Sequence, residues 1–235
     1  MKFECKHCGQ CCKRFGLGEK NFLPIFEWEA REFEVQAKKK GILVDVKPNR
    51  MFFEEINRKI VILGYGLYSS PCPFLTKDND CSVYEKRPII CRRFPINNLP
   101  WTQSNNELSH TFFQCPTFDN VKNFTECVDN KVGMANTKVD EFFMDTYGHE
   151  CFDFALKGDE IVQFMNTQIQ LCLKKGFVFR NATKEELAKY ERISFFDFLV
   201  DVKMIDGKAR DGLIAVLSNK GSLEQFREQL AAIGQ

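Results

Sequence analysis

The sequence lacks the features that would place the chain in a membrane, outside the cell or on nucleic acid. Its first residues contain no apolar segment of the kind that forms a secretory signal. No run of 18 apolar residues occurs, so no transmembrane helix is expected. An excess of charge of one sign is also missing, because 33 basic residues balance 32 acidic ones, whereas nucleic-acid binders are strongly basic. We therefore expect a cytoplasmic protein that binds neither membranes nor nucleic acid.

Motifs that would identify a cofactor or an enzyme class are missing as well. Cys8 is followed by Gly9, so the Cys-x-x-Cys-His motif of covalent haem attachment does not occur. The chain has no cysteine triplet of the radical S-adenosylmethionine type, and no Gly-rich nucleotide loop follows a predicted strand. Outside the cysteines, no side chain stands out as a general base or nucleophile. The residues alone leave open whether the chain is an enzyme.

What the sequence does contain is a large number of cysteines. There are 11 in 235 residues, and in the reducing cytosol such a number favours metal binding over a disulfide framework. Four of them lie within eight residues, and Gly9 eases the backbone between them: Cys5, Cys8, Cys11 and Cys12. Because thiolates are soft ligands, this grouping predicts zinc or an iron–sulfur cluster and not calcium or magnesium.

The spacing within this first group is close to that of a known cluster motif but departs from it at one point. Cys5, Cys8 and Cys11 follow the spacing that opens the bacterial ferredoxin run, but the fourth cysteine of that run, followed by proline, is missing. Cys12 stands directly after Cys11 instead. Adjacent side chains on extended backbone point to opposite faces, so the two either serve different metals or one of them is not a ligand. His7, the histidine of this group, is either a zinc ligand or, as the favoured interpretation has it, a residue that does not contact the metal.

A second group of cysteines follows about sixty residues later in a region rich in turn residues. The turn sequence 78–80, Asp-Asn-Asp, is expected to bring Cys72 and Cys81 together. Pro88 and Pro95 stiffen the backbone on either side of Cys91. One more cysteine, Cys115, follows this region. The eight cysteines of the two groups can fill two four-coordinate sites, or one site with thiols left over for redox chemistry, and the spacing leaves both open.

The arginines and aromatic residues near the second cysteine group, and the cysteines later in the chain, are assigned roles as follows. Three arginines either lower thiolate pKa values and contact a bound group, or are solvated and paired with acids such as Glu85: Arg87, Arg92 and Arg93. Tyr84 and Phe94 are interpreted as an apolar wall that shields the site. Three later cysteines lie in helical, Phe-rich surroundings and are predicted to be structural: Cys127, Cys151 and Cys172.

The hydrophobic pattern predicts an α+β fold that is predominantly helical, with a cysteine-rich, loop-dominated N-terminal half and a helical C-terminal half. Residues 1–117 are assigned to a metal-binding domain and 118–235 to a helical region packed on it. The N-terminal half is expected to contain a helix over 25–39, a strand over 42–47 and a hairpin around Asn57 and Arg58. The C-terminal half is expected to contain helices over 121–136, 138–147 and 159–175, followed by helices that begin near Thr183, Ser194 and Ser222.

Taken together, the two cysteine groups resemble the YkgJ-type cysteine-cluster family, whose domain is assigned to the chelation of zinc or iron. The residues that carry the resemblance are the Cys-x2-Cys-x2-Cys-Cys run at 5–12, Cys-Pro-Phe-Leu at 72–75, Cys81-x-Val-Tyr-x-x-Arg-Pro-x-x-Cys91, and Arg-x-Phe-Pro at 92–95. The match covers roughly residues 3–116. The cluster-bearing domain of flagellin lysine methylases is similar.

The resemblance implies a metal centre held by clustered cysteines. The implied ligands are Cys5, Cys8, Cys11, Cys12, Cys72, Cys81, Cys91 and Cys115, of which Cys115 is followed by Pro-Thr-Phe where members continue into a Gly-rich segment. The leading expectation is an iron–sulfur cluster of the 4Fe–4S type in an Fe–S oxidoreductase, with zinc as the alternative metal. The competing expectation is a structural zinc module that binds a protein partner, and a methyltransferase-like activity is a third. We expect a protein or redox partner, but the sequence does not identify it.

Overall fold

The computed structural model describes residues 7–14, 22–94, 96, 141, 144–145, 147–218 and 221–233. The chain divides into two compact units, each built from two stretches of sequence. Unit 1 comprises Met1–Asn21 with Ser70–Asp159, and unit 2 comprises Phe22–Ser69 with Glu160–Gln235. Residues 97–140 lie outside the described part of the chain, and with them the expected domain boundary after residue 117 and the expected helix over 121–136. Most residues of the helix expected over 138–147 are also outside it.

The described elements combine helices with one small sheet, as the predicted α+β class requires. The helices are α1 Gln10–Arg14, α2 Glu27–Lys40, α3 Ile89–Arg92, α4 His149–Lys174, α5 Lys184–Lys189, α6 Phe195–Asp201, α7 Gly207–Ser218 and α8 Leu223–Ile233. The strands are β1 Leu23–Ile25, β2 Val46–Glu54, β3 Lys59–Leu67, β4 Phe179–Arg180 and β5 Arg192–Ser194. A single turn of 3-10 helix covers Tyr84–Lys86. No helix among the described residues is long and apolar enough to cross a membrane.

The sheet lies in unit 2 and is built around the hairpin of β2 and β3. The strand order is β1-β3-β2-β4, antiparallel throughout, and β5 pairs with β3 in parallel. The hairpin predicted around Asn57 and Arg58 is confirmed, since the turn joins Glu54 to Lys59 across the ladder. The predicted strand over 42–47 is wrong at its start, because residues 42–45 are irregular and β2 begins at Val46.

A buried carboxylate organises the hairpin turn. The side chain of Glu54 is fully buried and accepts hydrogen bonds from the Ile56 and Asn57 backbone N–H groups at 2.9 and 2.8 Å. It also accepts one from Asn57 Nδ2 at 2.9 Å. A buried carboxylate needs such donors because water does not reach it. These bonds hold the two strands in the register that faces Phe53 and Ile60 into the core.

Helix ends in unit 2 follow the local signals of the sequence. Gly41 ends α2 with φ +64, the left-handed conformation that suits glycine. The side chains of Thr183, Ser194 and Ser222 each accept a hydrogen bond from the backbone N–H three residues later, so the three predicted helix starts are confirmed. The core between these helices and the sheet is rich in phenylalanine; Phe196, for example, contacts Trp28 edge-on at 5.9 Å.

Helix α4 is longer than the predicted helix over 159–175. It begins at His149, directly after Gly148 with φ +86, and it continues through Gly158 without interruption. The side chain of Arg93 lies on the space that a Cβ of Gly158 would fill, so glycine at this position permits close packing in unit 1. Buried apolar residues from this part of the helix pack with Ile96 to form a core in unit 1: Phe152 and Ala155.

Candidate metal centre

Cys11 and Cys12 lie on the short helix α1, whose first turn begins at Gly9. The Gly9 carbonyl accepts hydrogen bonds from the N–H groups of Cys12 and Lys13 at 3.0 and 2.9 Å, and Gly9 itself has φ +66. The backbone is therefore helical at this point, and the extended conformation considered for Cys11 and Cys12 is wrong. On the helix the two sulfur atoms are 3.9 Å apart. Two thiolates bound to one tetrahedral zinc are separated by about 3.8 Å, given Zn–S bonds of about 2.3 Å.

The loop 72–82 folds back on itself, as the turn sequence predicts. Leu75 and Cys81 face each other in an isolated antiparallel bridge. Within the turn, the Thr76 N–H donates to the Asp80 carbonyl at 2.8 Å, and the Thr76 hydroxyl accepts from the Asp80 N–H at 3.0 Å. Asn79 takes the left-handed conformation with φ +65. Because the turn is closed by these bonds, Cys81 is returned to the neighbourhood of Cys72.

The first cysteine segment is docked on this loop by backbone contacts. The Cys72 N–H donates to the Cys12 carbonyl at 2.8 Å. Gly9 is buried against the loop, and a Cβ placed on it would lie 3.1 Å from the Asn79 side chain and 3.2 Å from Leu75. Residues separated by some sixty positions in the sequence are thus brought together by the fold of unit 1.

Cys91 is presented by α3, a helix of one turn. Pro88 caps this helix with extended backbone, and its carbonyl accepts from the Cys91 N–H at 2.9 Å. Ile89 on the same turn is buried and anchors the helix in the core of unit 1. Proline suits this place because its fixed φ is compatible with a helix start and the helix needs no N–H there.

The thiols of the two groups influence one another electrostatically. Burial raises the pKa of Cys91 well above its ordinary value, and the nearby Cys12, Cys11 and Cys81 thiolates raise it further. The hydrogen bond with Cys12 raises the pKa of Cys11, and burial adds to this. The pKa of Cys12 is lowered most by its bond to Cys11, but contact with Cys72 and burial outweigh that and raise it to about 12. Thiolates gathered in this way repel each other, and a bound cation would relieve that repulsion.

The three arginines of this region have different roles. Arg87 lies 3.6 Å over the Tyr84 ring and lowers the pKa of Cys91, opposing the effect of burial. Arg92 donates Nε to the Arg87 carbonyl at 2.8 Å and contacts the Phe154 ring. Arg93 is buried and pairs with Asp159 at 2.8 Å. Arg87 therefore favours a thiolate at Cys91, as one interpretation of the sequence expects. Arg92 and Arg93 pair with Glu150 and Asp159, as the other expects of arginines near acids.

The aromatic wall expected from Tyr84 is not found. Tyr84 is 47% exposed and lies beneath the Arg87 guanidinium. Phe94 is half-buried, and its carbonyl accepts a hydrogen bond from the Cys151 thiol at 3.4 Å. The cation–π contact with Arg87 stabilises the Tyr84 ring at this exposed position.

Cys151 and Cys172 behave as the structural thiols that the sequence predicts. The Cys151 Sγ donates to the Arg93 carbonyl at 3.1 Å, and burial raises its pKa to about 11. Cys172 is fully buried in unit 2, and burial raises its pKa as well. Cys8 is half-buried beside Gly9. Three cysteines lie outside the described residues: Cys5, Cys115 and Cys127.

The described thiols have the chemistry of ligands for a soft metal, but the described residues alone do not form a complete site. Within the described part of the chain, no three or more His, Cys, Asp or Glu side chains are arranged closely enough to hold an ion. Two members of the expected ligand set are outside that part, Cys5 and Cys115. The 3.9 Å separation of the Cys11 and Cys12 sulfurs and the mutual effects on thiol pKa values both suit a soft cation.

One contact at the site has no counterpart in the sequence analysis. His7 Nδ1 lies 2.7 Å from the Asp80 carboxylate oxygen Oδ1. The pair joins the first cysteine group to the turn of the second. A histidine between two cysteines and an acid before a third were visible in the sequence, but nothing local paired them. Their pairing depends on the long-range docking of Gly9 on the loop.

These features describe a protein in which two cysteine-bearing segments, distant in sequence, contact each other within one unit. The family model that matches the chain covers residues 4–126 and is described as CxxCxxCC, a "putative zinc- or iron-chelating domain". Since the match spans more than half of the chain, the chain belongs to this family, as the resemblance predicted. No curated protein and no solved structure matches it. The family supports metal binding by the cysteines.

Proposed function

We propose that the protein is a cytoplasmic iron–sulfur protein whose cysteines hold a 4Fe–4S cluster and which transfers electrons to or from a protein partner. The proposed ligands are drawn from Cys5, Cys8, Cys11, Cys12, Cys72, Cys81, Cys91 and Cys115. The observation that carries the proposal is the docking of α1 on the loop 72–82 through the Cys72–Cys12 hydrogen bond at 2.8 Å. Family membership supports chelation of zinc or iron, and Cys5, Cys8 and Cys11 follow the spacing that opens the bacterial ferredoxin run.

Each of three residues near the thiols would support the bound group in a different way. An iron–sulfur cluster supplies one-electron redox chemistry when it is bound. Arg87 offsets negative charge at Cys91, and Ile89 keeps the α3 turn anchored in the core. Gly9 permits the close approach of the first segment to the loop. In this proposal, these residues support the approach of the first cysteine segment to the second, which a shared bound group would require.

Zinc is the second candidate, with a structural and not a redox role. The observation that favours it is the 3.9 Å separation of the Cys11 and Cys12 sulfurs, which is close to the edge of a tetrahedral zinc–thiolate site. In that case the metal would stabilise the docking of the N-terminal segment, and unit 2 would be free to bind a protein partner. A closed site of four thiolates has no open position for chemistry.

The deciding experiment is anaerobic purification of the full chain, followed by metal analysis, assay of acid-labile sulfide and an absorption spectrum. A brown protein that contains iron and sulfide supports the cluster. A colourless protein with stoichiometric zinc would replace the cluster by the structural zinc site. A protein that carries neither metal and binds neither after reconstitution would overturn both candidates.

Separate substitution of the adjacent cysteines tests whether they share one bound group. Cys11→Ser and Cys12→Ser are each expected to lower the metal content, because both sulfurs face the same neighbourhood on α1. Cys172→Ser is the matched control, since Cys172 is buried in unit 2. Unchanged metal content in one of the two variants would identify that thiol as a non-ligand.

A further inference from the structure

The contact between His7 and Asp80 connects two parts of the chain that are 73 residues apart. His7 stands between Cys5 and Cys8, and Asp80 directly precedes Cys81. The distance between Nδ1 and Oδ1 is 2.7 Å, which is a good hydrogen-bond length. Each partner therefore lies within two residues of proposed ligands, one from each cysteine group.

The backbone on both sides of the contact is held in an uncommon conformation. His7 has φ +50, and Asn79, the neighbour of Asp80, has φ +65. Residues with side chains rarely adopt these angles unless surrounding contacts hold them there. The burial of Gly9 against Asn79 supplies one such contact, and the His7–Asp80 bond supplies another.

The position of the pair separates it from the backbone contacts that dock the segment. The side chains of His7 and Asp80 are 59% and 58% exposed, so the pair lies at the solvent side of the segment, whereas Gly9 is buried. An exposed pair adds little to the stability of a fold. It can still slow the opening of a short segment, because it adds to the contacts of Cys12 and Gly9 with the loop that opening must break.

We propose that His7 and Asp80 are a positioning pair that keeps the first cysteine segment closed on the loop 72–82 and so slows the loss of bound metal. This inference rests on the proposed function, because it needs a metal at the site. Neither residue supplies a ligand. Opening of the segment would carry Cys8, Cys11 and Cys12 away from the second group, and the pair acts against that opening.

The test measures transfer of metal from the loaded full-length protein to an excess of a coloured chelator. His7→Ala and Asp80→Ala are each expected to speed the release about two- to fivefold, the range that an exposed pair can contribute. The double variant should release metal no faster than the faster single variant, since both substitutions break the same bond. His7→Asn should recover part of the slow release, because its amide can donate to Asp80 but cannot replace an imidazole ligand.

Asp78→Ala is the matched control, because it removes the same charge from an exposed position of the same turn. Release from this variant is expected at the wild-type rate, and metal content and absorption spectrum should be unchanged in every variant. Additive effects in the double variant, or equal acceleration by Asp78→Ala, would overturn the positioning role. A changed spectrum or lower metal content in His7→Ala would overturn it too and make His7 a ligand.

Failure of this inference differs from failure of the proposed function. If the wild-type protein holds metal and all variants release it at one rate, the positioning role is wrong and the metal centre stands. If the wild-type protein holds zinc, the same release experiment applies with zinc. If the wild-type protein binds neither metal, the proposed function and this inference both fall.

Discussion

Arg93 and Asp159 form a buried ion pair, with Nη1 of the arginine 2.8 Å from Oδ1 of the aspartate. The same guanidinium donates Nε to the Ile96 carbonyl at 2.8 Å and lies against Gly158. Arg93 follows Cys91 by two residues, so the pair ties the end of α3 to α4 within unit 1. The placement of Cys91 thus depends on an ion pair that contains no thiol.

Asp159→Asn is expected to destabilise unit 1 by about 3–5 kcal/mol, because it leaves the buried Arg93 charge without its carboxylate. Urea denaturation of the metal-free protein, followed by circular dichroism, measures the loss. Glu150→Gln is the control, since Glu150 pairs with Arg92 at 3.6 Å from an exposed position. That exposed pair should contribute no more than about 1 kcal/mol. Equal stability of Asp159→Asn and the wild type would show that the buried pair is not needed.

Gly9→Ala and Gly41→Ala separate backbone strain from crowding at the metal centre. Both glycines have a left-handed φ, +66 and +64, so each substitution is expected to cost about 1–2 kcal/mol. At Gly41 nothing lies within 4 Å of the new methyl group, whereas at Gly9 it would meet Asn79 at 3.1 Å. Only Gly9→Ala should therefore lower the metal content of the purified protein.

Metal analysis of both variants after identical purification checks this difference. Normal loading of Gly9→Ala would mean that the first segment can dock without its close approach to the loop. Equal loss of metal in Gly41→Ala would mean that crowding of Gly9 against the loop is not the cause of the lower metal content.

The features that could be predicted from the sequence are those set by a few neighbouring residues. Gly41 ends α2 and Thr183, Ser194 and Ser222 begin helices because capping depends on residues three or four positions apart. The hairpin around Asn57 and Arg58 is likewise set by a short turn between two neighbouring strands. Family membership could be predicted too, because the spacing of the cysteines is itself the motif.

The features that could not be predicted depend on long-range packing or on a special backbone angle. The sequence does not indicate α1, because no pattern of five residues identifies this helix, which begins after the positive φ of Gly9. It also does not indicate the first turns of α4, where Gly158 makes room for Arg93. The His7–Asp80 contact requires the two segments to be docked first.

Glu54→Ala tests the buried carboxylate of the hairpin turn. The substitution removes the acceptor of two backbone N–H groups and of Asn57 Nδ2, and it should destabilise unit 2 by about 1.5–3 kcal/mol. Thermal or urea unfolding monitored by circular dichroism measures the change. Glu55→Ala, which removes an exposed partner of Arg180, should cost no more than about 1 kcal/mol. A Glu54→Ala protein as stable as Glu55→Ala would show that water satisfies the turn.

The acid dependence of stability in unit 2 should reflect the pairing of Arg180 with Glu186. The Arg180 guanidinium, followed by the Thr183 backbone N–H, lowers the pKa of Glu186 from 4.5 to about 2. Because the folded state lowers this pKa, the contribution of Glu186 to stability is fully present above about pH 4.5. It is lost as the pH falls towards about 2, where the carboxylate is protonated in the folded state as well.

Glu186→Gln should therefore be less stable than the wild type at neutral pH, and the difference should shrink as the pH falls from about 4.5 to about 2. Urea midpoints measured across this range for both proteins give the difference directly. In an Arg180→Gln background most of the pH dependence of that difference should disappear, because the main cause of the lowered pKa has been removed. A difference between wild type and Glu186→Gln that is constant with pH would show that the carboxylate contributes through its shape and not its charge.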